Sequence, residues 1–180
     1  LEGLASDALV LCLFSGGGSA LLPAPADGLS LAEKQETTRL LLACGATIDE
    51  INALRKHLSS VKGGLLARAA TPARVLALML SDVIGDPLDT IASGPTSPDP
   101  TTFSYCLELV DRYDLRRQLP TTVRQRLENG SNGLLAETPK IGDPCFAATE
   151  KPGNDGNGYG FGGDFFIVHH GGPASSTCWR

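Results

Sequence analysis

The chain is 180 residues long, 42% hydrophobic and 19% charged, with 21 glycines, 12 prolines and a net charge of −5. That balance excludes a collagen, a coiled coil and a wholly disordered chain, and the length suits one domain with a real core or part of something larger. No Lys/Arg run exceeds two residues and no apolar run approaches the roughly 18–20 residues that cross a bilayer, so neither nucleic acid nor membrane is an expected partner.

The chain opens on Leu1 with no basic stretch and no cleavage signature, so an upstream segment is expected to be missing. Residues 8–14, ALVLCLF, form an apolar run that stops at Ser15-Gly16-Gly17-Gly18-Ser19, and residues 74–80, RVLALML, stop likewise at Ser81-Asp82. Such runs without polar alternation, separated by helical sequence, predict buried strands of a parallel sheet covered on both faces. Between them, Ser30 and Glu33 form a capping box ahead of a helix predicted over about residues 31–44, with Gly45 as its stop. Thr47 and Glu50 repeat the device. Ile48, Ile51, Leu54, Leu58 and Val61 then recur at helical steps as far as Gly63-Gly64, a second helix that presents Asn52, Arg55 and Lys56 away from its core stripe.

A third helix is predicted from Thr101 or Thr102 through Tyr113, and a fourth, shorter one from Pro120 to Gly130. From about residue 147 glycine and proline dominate without any period, so residues 147–180 are expected to be poorly ordered. The predicted class is α/β. Cys12, Cys44, Cys106, Cys145 and Cys178 are scattered with no CxxC pair, neither a disulfide framework nor a zinc pattern, and a reducing, cytosol-like compartment fits them.

Three loops and one helix end offer chemistry. In Ser15-Gly16-Gly17-Gly18-Ser19 the missing Cβ atoms let consecutive N–H groups form a concave anion nest, to which the Ser15 and Ser19 hydroxyls add donors; the bland alternative is a strand-to-helix turn. Asp82 and Asp86 follow the second strand and can serve as hard oxygen ligands for Mg²⁺, or simply as a solvated turn. Ser93, Gly94 and Thr96 form a second small turn able to donate to phosphate or hydroxy-acid oxygens. Arg55, Lys56 and Lys62 concentrate cations at the second helix's end, suited to carboxylate or phosphate recognition or merely to the helix dipole. His57 reads as a packed helical residue. No GxxxxGK[ST] occurs, Gly16-Gly17-Gly18 is not continued as GxGxxG because Leu21 takes the last position, and no GxSxG surrounds Ser19, so this loop is neither a P-loop, a dinucleotide fingerprint nor a nucleophile elbow.

Taken together, FSGGGSALLPAP, GATIDEINALRKHLSSVKGG and LSDVIGDPLDTIASGPTSPD, in that order, resemble the glycerate 2-kinase family, also labelled hydroxypyruvate reductase, and its animal members particularly. The resemblance covers about residues 7–146. It implies a Rossmann-like, three-layer parallel-sheet sandwich, incomplete here, as the N-terminal of two domains, with the cleft between them. It also implies ATP-dependent phosphorylation of the 2-hydroxyl of D-glycerate. Carried over by motif, Ser15, Gly16, Gly17, Gly18, Ser19, Ser93, Gly94 and Thr96 would hold the nucleotide, Asn52, Arg55 and Lys56 the substrate, and Asp82 and Asp86 the Mg²⁺; Arg55 and Lys62 would be catalytic. The expected domains are a partial kinase domain at 1–146 and a divergent tail at 147–180, with a cytoplasmic or mitochondrial location and homo-oligomerisation left open. The alternatives are a NAD(P)H-dependent reductase and a non-catalytic truncated product, since the chain as given is expected to be inactive alone.

Overall fold

The computed structural model describes residues 1, 3–15, 17–81, 88–146 and 164–169, with residues 80–81 and 164–169 described as backbone only. In chain order the elements are β1 (Leu9–Phe14), α1 (Gly18–Leu21), α2 (Leu31–Ala43), α3 (Ile48–His57), α4 (Leu65–Ala70), β2 (Arg74–Ser81), α5 (Phe103–Arg112), α6 (Thr121–Ser131) and β3 (Asp164–His169). Short 3-10 turns occupy Ile91–Ser93 and Pro144–Phe146. The strands form one parallel sheet in the order β1-β2-β3, with Leu9 opposite Arg74 and Leu76 opposite Asp164. The class is α/β, as expected.

Within residues 147–180, expected to be poorly ordered, six residues form a strand, β3. Asp164–His169 pairs with β2 over six residues, a partnership that the glycine-rich flanks conceal because pairing is decided by a distant strand and not by local period. The rest of that segment lies outside the described residues. A correction concerns β1. Cys12 is buried, but Leu9, Leu11 and Leu13 are 60%, 54% and 69% exposed, so the described chain leaves one face of this strand uncovered. An unbroken apolar run promises two faces that avoid water, without saying which residues supply the second cover.

Local chemistry sets the helix ends. Ser30 Oγ and Thr47 Oγ1 accept from the Glu33 and Glu50 backbone N–H groups, and each glutamate reaches back to its cap residue, each cap contributing about 1 kcal/mol. Glu50 also accepts from Arg112 Nη1 at 2.8 Å and Tyr113 Oη at 2.7 Å, which ties the start of α3 to the end of α5. The apolar stripes of α2, α3, α5 and α6 meet in a core containing Leu41, Leu54, Phe103, Leu109, Val123 and Leu127. A smaller cluster of Cys12, Ala77, Met79 and Ile91 lies against the sheet.

The second helix is shorter than its apolar spacing predicts: α3 stops at His57. The backbone of the next residues is claimed by another segment, because Leu58 O accepts from Ala26 N at 3.1 Å and Ser60 N donates to Ala24 O at 3.1 Å. Leu58 remains in the core although it has left the helix. The following turn requires glycine. Gly64 sits at φ +82°, and a Cβ there would lie 2.9 Å from Phe146 Cζ and 3.0 Å from Ser97 O, too close for any side chain.

Gly130, inside α6, supplies the packing test. A Cβ built on it would lie 2.2 Å from Phe103 Cγ, and Phe103 is fully buried. Gly130→Ala should therefore destabilise the chain by about 1–3 kcal/mol through overpacking, although in an open helix the same change stabilises by up to about 1 kcal/mol. An unchanged or raised midpoint in chemical denaturation would show that α5 and α6 separate freely.

Candidate functional site

The end of β1, the far side of α3 and the turn after β2 converge on Ser19. Gly17, at φ +79°, caps α1 and turns the chain so that Ser19 faces α3. The turn at residues 91–94 is left-handed at three successive positions, Ala92, Ser93 and Gly94, with φ of 53°, 63° and 58°. Two of these are not glycine, and such a backbone costs about 1 kcal/mol or more per residue. It is held by hydrogen bonds from Gly63 N to Ser93 O (3.1 Å) and from Gly64 N to Gly94 O (2.7 Å). The strain brings the Ala92 carbonyl and the Ser93 hydroxyl to the same place.

Lys62 is the centre of that place. Its side chain is fully buried, and Nζ lies 3.0 Å from each of three oxygens, Ser19 O, Ser19 Oγ and Ala92 O. Ser19 Oγ and Ser93 Oγ are 2.8 Å apart, and Ser93 Oγ donates to Asn52 Oδ1 at 3.2 Å. Arg55 Nη2 donates to Ser19 O at 3.2 Å. Lys34, on α2, donates to Pro23 O at 2.6 Å from the adjoining stretch of chain. Burial first, then the positive charges of Arg55 and Lys34, push Lys62 down to about 7; burial and Arg55 push Lys34 down to about 8. Burial also lowers Arg55, which stays charged.

Lys34, Arg55 and Lys62 therefore share one small region, and among the described residues none of them makes an ion pair with a carboxylate. In a chain of net charge −5, this makes a patch of positive potential with donors unfilled among the described residues: there Arg55 forms one hydrogen bond and Lys34 one, against five and three available. An anion of matching size relieves the mutual repulsion and fills those donors.

The opposite side of α3 is built differently. Lys56, expected at the substrate, is buried and paired instead with Asp99 at 3.4 Å and Asp89 at 3.2 Å. His57 is packed, as expected, with Nδ1 2.8 Å from Ala53 O and Nε2 3.1 Å from Glu137 Oε2. Burial pushes the Glu137 carboxyl upward, but hydrogen bonds from His57 and the Phe103 N–H, with the nearby Lys140, outweigh it and hold Glu137 down to about 2. Consecutive residues on one helix thus divide between a polar anchor and the cationic site.

Of the residues singled out from sequence, Ser19, Asn52, Arg55, Lys62 and Ser93 are brought together. Ser15 is exposed. Gly17 has open space where a Cβ would stand, and Gly18 has only the Ala92 Cβ at 3.7 Å. Gly94 serves the backbone turn. Thr96 is buried and its Oγ1 has no hydrogen-bond partner among the described residues. Gly16, Asp82 and Asp86 lie outside the described residues; among the described residues, no group of three or more His, Cys, Asp or Glu side chains is placed to hold a metal ion. No described helix is long and apolar enough to cross a membrane. Lys34 was not singled out, because one lysine inside an ordinary capped helix carries no motif.

The three motifs that resemble glycerate 2-kinases are the three segments that meet here. The chain is 54% identical over 131 residues to a glycerate kinase from Homo sapiens, covering 73% of this chain and 25% of that protein. It is 48% identical over 132 residues to a glycerate 2-kinase from Pyrococcus horikoshii, covering 73% of this chain and 30% of that protein. A crystal structure of glycerate kinase from Thermotoga maritima superposes with a TM-score of 0.71 at 39% identity, covering 93% of this chain and 34% of that one. The chain thus spans about a quarter to a third of the length of these relatives. Residues 1–128 match the family model described as a domain of unknown function, DUF4147, and the chain belongs to that family, in keeping with its resemblance to glycerate 2-kinases.

Proposed function

We propose that the Ser19 region binds the anionic groups of ATP and D-glycerate in a kinase that phosphorylates the 2-hydroxyl of glycerate. The observation that carries this reading is the meeting of Lys34, Arg55 and Lys62 around one turn with no carboxylate among their partners in the described residues. Phosphoryl transfer asks little covalent chemistry of the protein and much fixed positive charge where charge spreads over the transferring group. Arg55 offers a planar fork to a carboxylate or phosphate. Lys62, held near neutrality, can carry charge in one form and accept a hydroxyl proton in the other. Ser93 and Asn52 orient the Ser19 hydroxyl. The same reading keeps Asp82 and Asp86 for Mg²⁺ on their position after β2, with no step routed through them. The names of the relatives support ATP and glycerate as substrates.

In a full-length family member carrying these residues, Arg55→Ala should raise the KM for glycerate or for ATP by about 10- to 100-fold, the loss of a charged hydrogen bond. Unchanged KM values for both would remove Arg55 from the site. Oxidation of NAD(P)H by hydroxypyruvate in the same protein, without ATP-dependent formation of 2-phosphoglycerate, would replace the kinase reading with the reductase one.

A further inference from the structure

We propose that Ser19 is a lysine-activated nucleophile able to take an acyl group from small carboxylate-bearing esters, a hydrolytic activity separate from phosphoryl transfer. The geometry behind this is a count of protons around Lys62. As an ammonium it has three donors for three oxygens, Ser19 O, Ser19 Oγ and Ala92 O, all at 3.0 Å. As a neutral amine it keeps two donors for the two carbonyls, and its lone pair faces Ser19 Oγ, the one partner with a proton to give. The Ser93 hydroxyl proton is committed to Asn52 Oδ1, so Ser93 Oγ meets Ser19 as an acceptor, 2.8 Å away. Ser19 therefore has two acceptors for one proton and, unlike the fully buried Ser93, is partly exposed.

Burial and neighbouring cations hold Lys62 near 7, so the amine is well populated at neutral pH, as a serine's general base must be. Arg55, already bonded to Ser19 O, places a cation beside the reacting serine, where negative charge develops on a carbonyl oxygen. The remaining donors of Arg55 and Lys34 select an ester that carries its own carboxylate.

The step is an ordinary acyl transfer. Ser19 Oγ attacks the ester carbonyl carbon; the Oγ–C bond forms and the hydroxyl proton passes to Lys62 Nζ. The bond from carbon to the alcohol oxygen breaks, and the departing alcohol takes that proton. Water then attacks the acyl-serine, its proton passing through Lys62 to Ser19 Oγ, which leaves as the free hydroxyl. No oxidant, reductant or nucleotide takes part, so failure of the kinase reading would leave this inference standing, and the reverse.

The test treats the 180-residue chain with a fluorophosphonate probe and, separately, with 4-nitrophenyl hydrogen succinate. The expected result is covalent probe on Ser19 by peptide mass spectrometry, and release of total 4-nitrophenol, read at the wavelength where phenol and phenolate absorb equally and corrected for spontaneous hydrolysis, whose rate rises with pH through a midpoint near 7. Ser19→Ala, which removes one oxygen and preserves the turn, should slow both by about 100-fold or more. Probe found on other residues, hydrolysis unaffected by Ser19→Ala, or a rate with no inflection near neutrality would overturn the proposal. The pH profile is read on the unaltered chain, so a folding defect in a variant cannot stand in for the answer.

Discussion

Asp99→Ala is expected to destabilise the chain by about 3–5 kcal/mol, the characteristic cost of leaving a buried partner charge uncompensated. Asp99 has no exposed side-chain surface. It accepts from the Thr101 N–H at 3.0 Å, the Thr101 hydroxyl at 2.7 Å and the Thr138 hydroxyl at 2.9 Å, with Lys56 Nζ at 3.4 Å and His57 Nδ1 at 3.8 Å. These partners come from α3, the segment before α5 and the segment after α6. Removing the carboxylate strands buried Lys56 with only the partly exposed Asp89. Against a typical total of about 5–15 kcal/mol, the loss is a large fraction of all stability. Urea denaturation followed by circular dichroism measures it directly, and a change below about 1 kcal/mol would mean that Asp89 alone neutralises Lys56.

Lys62→Met should separate function from stability. In a full-length family member kcat/KM is expected to fall by about 10²–10⁴-fold, the usual contribution of a positioned acid–base group. Stability at pH 7 should change by about 1 kcal/mol or less, because a buried cation is exchanged for an apolar chain of similar volume while two carbonyl acceptors lose a donor. The pH dependence gives the sign. Lys62 is depressed to about 7 in the folded chain from an ordinary 10.5, so between these values the unfolded chain binds more protons, and the folded state gains stability as pH rises. From pH 7 to about 8.5 the gain from this one group is about 1–2 kcal/mol, and it should vanish in Lys62→Met. Lys34, near 8, acts in the same sense, whereas Cys12, Cys106 and Cys145, all pushed upward mainly by burial, favour the opposite trend above about 9. Denaturation midpoints at pH 7.0 and 8.5 test this; equal gains in both proteins would show that Lys62 titrates normally.

The parts of the site that were legible from sequence share a property: each belongs to a motif whose chemistry is concentrated within a few residues. The glycine loop delivered Ser19, the second capped helix delivered Asn52 and Arg55, and the turn after it delivered Lys62. Lys56, adjacent to Arg55, went the other way. A helix turns about 100° per residue, so neighbours in sequence point to different surroundings, and only the packing of α5 and residues 137–140 against α3 reveals that one side is an anchor. Lys34 was missed for the converse reason, since its role depends on Arg55 and Lys62 coming near and on nothing within α2.

Hydrophobic spacing and end chemistry were enough for α2, α5, α6 and the two strands β1 and β2, because a capping box or an apolar run is decided by residues within one or two turns of each other. Contacts between distant segments decided the rest. Ser19 and Ser93 are separated by 74 positions and Lys62 and Ser19 by 43; β3 pairs with β2 across most of the chain's second half; and α3 ends where residues 24–26 claim its continuing backbone. Local pattern carries information about which groups avoid water and which helix ends are satisfied. It carries none about which distant oxygen a buried ammonium will find, and in this protein that encounter brings three cations, two serines and an asparagine together.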